Sequence, residues 1–246
     1  MENKQRIDHY LVKNNYCKTR TQAQELIKNG LVFINDNQIK KSNLLIDNNQ
    51  EIKIIYFKFV SRAGYKLDYA IKNFKIDFKN KIVLDIGSST GGFVDCALQY
   101  GAKFVYALDV GTNQLHEILK NNAKVKSLEK TNLKMICPEM FDQLIDIITC
   151  DVSFISLKHV FEVIQKIITN QTIMIFLIKP QFELSKEILD KTKGNINQQK
   201  YHDLAINNVL NAAKTFNFKL ENIIKSPIKG KKMLNTEYLG LFKWEK

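Results

Sequence analysis

Ile82-Val83-Leu84-Asp85-Ile86-Gly87-Ser88-Ser89-Thr90-Gly91-Gly92-Phe93 is the stretch on which the fold turns. An apolar run ends in a glycine loop. Glycines after a strand let the backbone approach a ligand closely, and the helix that begins near Gly91 offers free N–H groups at its N-terminus. The reading is therefore strand, cradling loop and helix, with a nucleotide-type cofactor as ligand; a plain glycine turn is the alternative that the motif alone leaves open. Working outward, further apolar runs at residues 104–108, 124–128, 145–150 and 172–178 are separated by segments long enough for crossover helices. Such a rhythm marks an α/β fold, a mostly parallel sheet with helices on both faces. A helix over residues 201–216 and strands near 219–224 and 238–243 extend it.

Residues 6–57 follow a different pattern. Ile7, Tyr10 and Leu11 mark one short amphipathic helix, Ala23, Leu26 and Ile27 a second, and Gly30 stops the second. Three short strands are expected at 31–34, 38–40 and 51–55, separated by the Asn35-Asp36-Asn37 turn and by Asp47-Asn48-Asn49. The helices carry Arg6, Lys13, Lys18, Arg20 and Lys28, which makes a small, basic α+β module. The connector at 56–60 has neither Pro nor Gly, so two domains held close together are expected, 1–57 and 58–246.

Composition agrees with two packed domains. Of 246 residues, 45% are apolar and 25% charged, which excludes a disordered or collagen-like chain. The 37 Lys and Arg against 25 Asp and Glu give a net charge of +12, which favours a polyanionic partner such as nucleic acid. Heavy use of Lys, Asn and Ile throughout makes that charge permissive and no more. Cys17, Cys96, Cys137 and Cys150 are far apart with no C-x-x-C pairing, and the N-terminus is too polar for a secretory signal, so a reducing cytoplasm is expected. The apolar runs are strand-length, far short of the roughly 20 residues of a spanning helix. His9, His116, His159 and His202 are scattered, so no metal is expected.

The loop spacing is D-x-G-x-x-x-G-G, which fits the class I (Rossmann-like) methyltransferase loop better than a dinucleotide fingerprint and points to S-adenosylmethionine. Asp85, Gly87, Ser89, Gly91, Gly92 and Phe93 are its candidate contacts. Asp109, at the end of the next strand, can accept hydrogen bonds from both ribose hydroxyls of an adenosine. Asn132, after the third strand, is a candidate for the adenine side or a turn residue. Asp151 and Lys179 follow the fourth and fifth strands. Open parallel sheets bind ligands beyond the carboxyl ends of their strands, so both should project into the crevice of the glycine loop. Spacing alone singles out neither Lys66, on a helix before the first of these strands, nor Glu237, just before the last; a surface salt bridge would explain either.

At these residues a resemblance emerges. Arg6-Ile7-Asp8, Thr19-Arg20, the run from Gly30 to Asn35, Val60-Ser61-Arg62 with Lys66-Leu67, the Asp85 loop, the Asp151-Val152-Ser153-Phe154 stretch, Lys179-Pro180-Gln181-Phe182-Glu183 and Ser226-Pro227-Ile228-Lys229-Gly230 occur in order. Over nearly the whole chain this resembles the TlyA family, described both as haemolysins and as ribosomal RNA 2'-O-methyltransferases. The family joins an RNA-binding domain of the ribosomal-protein S-four type to a methyltransferase domain of the FtsJ/RrmJ type.

The resemblance implies a Lys-Asp-Lys-Glu catalytic tetrad at Lys66, Asp151, Lys179 and Glu237. It implies methyl transfer from S-adenosylmethionine to a ribose 2'-hydroxyl of ribosomal RNA, at a cytidine, with RNA contacts from Arg6, Lys18, Arg20, Lys28 and Arg62. Because the chain starts only five residues before Arg6 and stops soon after the last strand, it is similar to the shorter members, for which large-subunit RNA is the expected substrate. Two positions depart from the pattern: Ala63 stands where the family commonly has Gly, and the glycine-rich stretch after Glu183 is reduced to Lys193-Gly194-Asn195. The second bears on how the loop over the site closes. Lys179 is the expected handler of the hydroxyl proton, yet an ordinary lysine, with a pKa of about 10.4, needs desolvation or a second cation such as Lys66 to act as a base near neutrality. The competing reading from another class is a pore-forming or membrane-active haemolysin.

Overall fold

The computed structural model describes residues 4–245 apart from 29, 36, 48–49, 55–57 and 231–233. Asp36 of the first expected turn, Asn48 and Asn49 of the second, Ile55 at the end of a strand, and Tyr56 and Phe57 of the connector lie outside the described residues. The chain forms two compact units, Met1–Lys58 and Phe59–Lys246.

In the first unit, β1 (Gln5–Arg6) leads into α1 (Ile7–Lys13) and α2 (Arg20–Lys28), followed by β2 (Val32–Ile34), β3 (Asn37–Gln38), β4 (Leu45–Ile46) and β5 (Ile52–Ile54). Strands β3, β2 and β5 form an antiparallel sheet in that order, while β1 pairs with β4. That second pairing was not expected, because two-residue strands are too short to show an alternating pattern. Ile7, Leu11, Ala23 and Ile27 from the helices pack with Val32, Ile34 and Ile52 from the strands. Gly30, at φ +71°, makes the left-handed turn that ends α2.

The second unit runs α3 (Ala63–Phe74), β6 (Ile82–Ile86), α4 (Gly92–Gln99), β7 (Phe104–Leu108), α5 (Glu117–Lys120), β8 (Val125–Leu128), β9 (Ile147–Cys150), α6 (Leu157–Ile164), β10 (Ile173–Ile178), α7 (Pro180–Glu183), α8 (Lys186–Thr192), α9 (Gln199–Thr215), β11 (Phe218–Lys225) and β12 (Tyr238–Trp244). Its seven strands lie in the order β11-β12-β10-β9-β6-β7-β8. The five from β10 to β8 are parallel, and β12 is antiparallel to both of its neighbours.

Every residue of β6 is buried, because the sheet is covered on both faces. Ile82, Leu84 and Ile86 enter one core cluster and Val83 the other, as the two-residue period of a strand requires. One expectation needs correcting: the β8–β9 crossover carries only the short 3-10 turns Leu133–Met135 and Pro138–Met140, and β7–β8 only the four-residue α5. Strand order reverses between β6 and β9, which opens a crevice at their carboxyl ends.

Candidate active site

Asp85 lies in β6 with its side chain turned to the Val83 face, and it is 1% exposed. One carboxylate oxygen accepts from Thr149 Oγ1 at 2.7 Å; the other has no hydrogen-bond partner. Burial pushes its pKa up to about 7, against the pull of the Thr149 hydrogen bond and the nearby Ser88 hydroxyl and with some help from the negative Asp151 and Asp109.

The loop after β6 brings backbone close to the crevice. Gly87 has φ +83°, and a Cβ there would stand 2.9 Å from the Asp151 carbonyl oxygen. A Cβ on Gly92 would stand 2.3 Å from Ser61 Oγ and 2.9 Å from the Ala63 methyl, so the helix starts α3 and α4 approach through missing side chains. Gly91 holds φ +91°, a conformation that side-chain-bearing residues rarely adopt, and a Cβ there would meet only the movable methyl ends of Leu119 and Leu115.

Lys66, Asp151, Lys179 and Glu237 come together from four elements. Lys66 Nζ lies 2.6 Å from Glu237 Oε2 and 3.7 Å from Asp151 Oδ2. Lys179 Nζ lies 2.6 Å from Asp151 Oδ1 and donates to Ser153 Oγ at 2.9 Å. Charges thus alternate along a row Glu237, Lys66, Asp151, Lys179 and sum to zero. Lys66, Lys179 and Glu237 are all buried, so the surface salt bridge considered for Lys66 and Glu237 is not what they form. Buried charges persist only when paired in this way.

The four open onto a cavity of about 920 Å³ that Asp85, Gly87, Ser89, Gly92 and Phe93 also line. That is ample for a nucleotide-sized ligand. Arg62 reaches the same cavity.

Two aromatic residues at this site, quoted in the sequence only as part of the ordered motif matches, were given no role there. Phe154 is 81% exposed and holds φ +66°, a left-handed conformation costly for a bulky side chain. Its ring stands 5.2 Å from that of Phe182, over which Lys179 Nζ sits at 5.8 Å. The only signal available was position, one residue past Ser153 after an apolar strand.

Asp109 lines a separate, very small cavity beside the loop, with Ser89. Its carboxylate accepts from Ser89 N and Gly111 N, each at 2.7 Å. Asn132 is exposed, caps a 3-10 turn by accepting from Lys134 N at 3.0 Å, and lines neither cavity.

In the first unit, Lys18 and Lys28 are exposed. Arg6 and Arg20 instead converge on Asp8, which is 0% exposed: Arg6 bonds it through both Nε and an Nη, at 3.0 Å each, and Arg20 through Nε at 2.9 Å. Burial raises the Asp8 pKa, but bonds from Arg6, Gln24 and Arg20 outweigh it and hold the carboxyl well below the usual range. Among the described residues, no group of three or more His, Cys, Asp or Glu side chains is disposed to hold a metal ion.

The profile of the FtsJ-like methyltransferase family matches residues 59–243 and that of the S4 domain residues 5–52. Hemolysin A of Brachyspira hyodysenteriae is 42% identical over 96% of this chain and 99% of its own length. The 23S rRNA (cytidine-2'-O)-methyltransferase TlyA of Campylobacter jejuni is 36% identical, spanning 89% of this chain and 92% of its own. A solved hemolysin structure from Streptococcus thermophilus superposes with a TM-score of 0.77 at 35% identity, covering 100% of this chain and 90% of that one.

Proposed function

Since the chain belongs to the TlyA family, an S4 domain joined to an FtsJ-like methyltransferase domain, we propose that it methylates a ribose 2'-hydroxyl of large-subunit ribosomal RNA, at a cytidine, in the cytoplasm. The observation that carries this reading is the alternating row of four charges, three buried and Asp151 half-buried, at the rim of a glycine-lined cavity.

The residues present fit S-adenosylmethionine. Asp85 offers a buried carboxylate oxygen without a partner, and the loop at Gly87 leaves no room for a side chain. When bound, the cofactor supplies an electrophilic methyl group on a sulfonium. Asp85 and the loop from Gly87 to Phe93 would hold it, with Asp109 on the ribose once its carboxylate is released from Ser89 N and Gly111 N.

A ribose hydroxyl is a weak nucleophile near neutrality, so the protein's task is to align it and manage its proton. Lys179 Nζ, fixed by Asp151 and Ser153, accepts that proton when it is the neutral amine; as the ammonium it instead stabilises the negative charge developing on the hydroxyl oxygen while the proton passes to Asp151 or to water. Lys66, clamped between Asp151 and Glu237, keeps the row in register and balances its charge. The exposed Phe154 ring with Phe182 offers a face on which a base pulled out of the RNA can stack. In the S4 unit, Lys18 and Lys28 meet phosphates, and Asp8 presets the Arg6 and Arg20 guanidiniums, whose remaining N–H groups complete an RNA-facing surface.

The decisive experiment is methyl transfer by purified protein to ribosomal RNA from a strain lacking the gene, with the product mapped by mass. No new 2'-O-methyl group would overturn the reading. The hemolysin names of two similar proteins keep a membrane-active reading in view. Among the described residues no helix is long and apolar enough to cross a membrane. Liposome leakage caused by the pure protein without S-adenosylmethionine would favour that alternative.

A further inference from the structure

Asn235 stands two residues before Glu237, is 1% exposed and spends both ends of its amide on a distant part of the chain. Its Oδ1 accepts from Ile196 N at 2.9 Å, and its Nδ2 donates to Gly194 O at 2.9 Å. Its backbone carbonyl accepts from Gly230 N at 2.9 Å, and the Glu237 carbonyl accepts from Ser226 N at 2.8 Å. Ile196 packs with Leu184, Tyr201 and Ala205 in a small apolar cluster that Leu189 joins. Leu184, Leu189 and Gly194 line the cavity together with Asn235 and Glu237.

The backbone on both sides of this tie is held in an unfavourable state. Leu234 has φ +52° and Lys193 φ +50°, conformations that side-chain-bearing residues keep only where the surroundings impose them. The segment's shape is held by hydrogen bonds to the buried Asn235 amide.

We propose that Asn235 is a positioning residue that fastens the cavity wall of residues 184–196 to the segment bearing Glu237, so that a nucleotide pressing on that wall sets the placement of the Glu237 carboxylate. This rests on the cavity being the methyl-transfer site. The amide uses both its donor and its acceptor: an ionised aspartate would face the Gly194 carbonyl with a second acceptor.

The test is Asn235→Asp in the full chain, followed by amide hydrogen exchange and by single-turnover methyl transfer to ribosomal RNA. The Ile196 and Ser226 amides should both exchange at least tenfold faster while those of β6 stay unchanged. Transfer should slow at least tenfold with cofactor affinity within twofold. In a Glu237→Gln background the same change should cost less than a further twofold, since its effect passes through Glu237. Faster exchange at Ile196 alone, or independent losses that multiply, would overturn the proposal. Should Asn235→Asp loosen β6 as well, Asn235→Ser is read by the same criteria. A wild-type protein that transfers no methyl group refutes the methyl-transfer reading by itself, and the paired exchange at Ile196 and Ser226 still decides whether the tie exists.

Discussion

Lys179 is flanked by a carboxylate at 2.6 Å and a hydroxyl at 2.9 Å, so its Nζ has little freedom to wander. If it handles the hydroxyl proton, Lys179→Ala lowers the single-turnover rate by about 10²–10⁴-fold with cofactor affinity nearly unchanged. Lys179→Arg should be almost as poor, because a guanidinium keeps the charge but does not release a proton near neutrality; full activity of that variant would make Lys179 a positioning cation. Asp85 makes a separate prediction. Its pKa rises from an ordinary 3.8 to about 7, so within that window the folded protein holds a proton that the unfolded chain has shed. Stability therefore falls as pH rises from about 4 to 7, and Asp85→Asn should reduce the loss between pH 5 and 7.5 by about 1–3 kcal/mol, read from urea unfolding. Asp151 and Lys179 were legible in the sequence because each follows an apolar strand run. Lys66 and Glu237 were not, since their meaning lies in a 2.6 Å contact across 171 residues that no local pattern encodes. Phe154 stayed hidden for the same reason: its strained φ and its ring partner are tertiary facts.

Among the elements, α6 and α7 are joined by one half-buried carboxylate. Ser156 caps α6 by accepting from Lys158 N at 3.1 Å and donates its own hydroxyl to Glu183 Oε2 at 2.6 Å, while Glu183 Oε1 accepts from Leu157 N at 2.9 Å. Burial pushes the Glu183 pKa up to about 7, opposed by the Ser156 and Leu157 bonds. Ser156→Ala removes a cap and one of those bonds together and should cost about 1–2 kcal/mol in denaturant unfolding. An unchanged midpoint would mean the pair contributes nothing. Strands β6, β7, β9 and β10 could be read from sequence because strands buried on both faces are written as largely apolar runs, whereas the edge strand β8, Val-Lys-Ser-Leu, is only partly buried. What failed to show were β1 and β4, too short for a period, and the slight β8–β9 crossover, where a long interval between strands suggested a helix that the chain does not form.

For the whole molecule, charge decides how the substrate is met. Lys18 and Lys28 are exposed on the S4 unit, whereas Arg6 and Arg20 are committed to Asp8. Changing both lysines to Glu should weaken ribosomal RNA binding and reduce the slope of log K against log salt by about 2, leaving cofactor binding intact, as calorimetry and salt titration would reveal. An unaltered slope would remove these side chains from the interface. The composition made a basic module visible; that two of its arginines are partly spent on a buried aspartate was not, because Asp8 reads as a surface residue until the helices pack. The sheet also carries a history of its making. Strand β12 is inserted between β10 and β11, and Glu237 immediately precedes it. A polypeptide leaving the ribosome N-terminus first thus exposes the open edge of β10 until residues 238–244 have emerged to cover it. A nascent chain arrested at residue 225 should consequently be prone to association and devoid of methyl transfer.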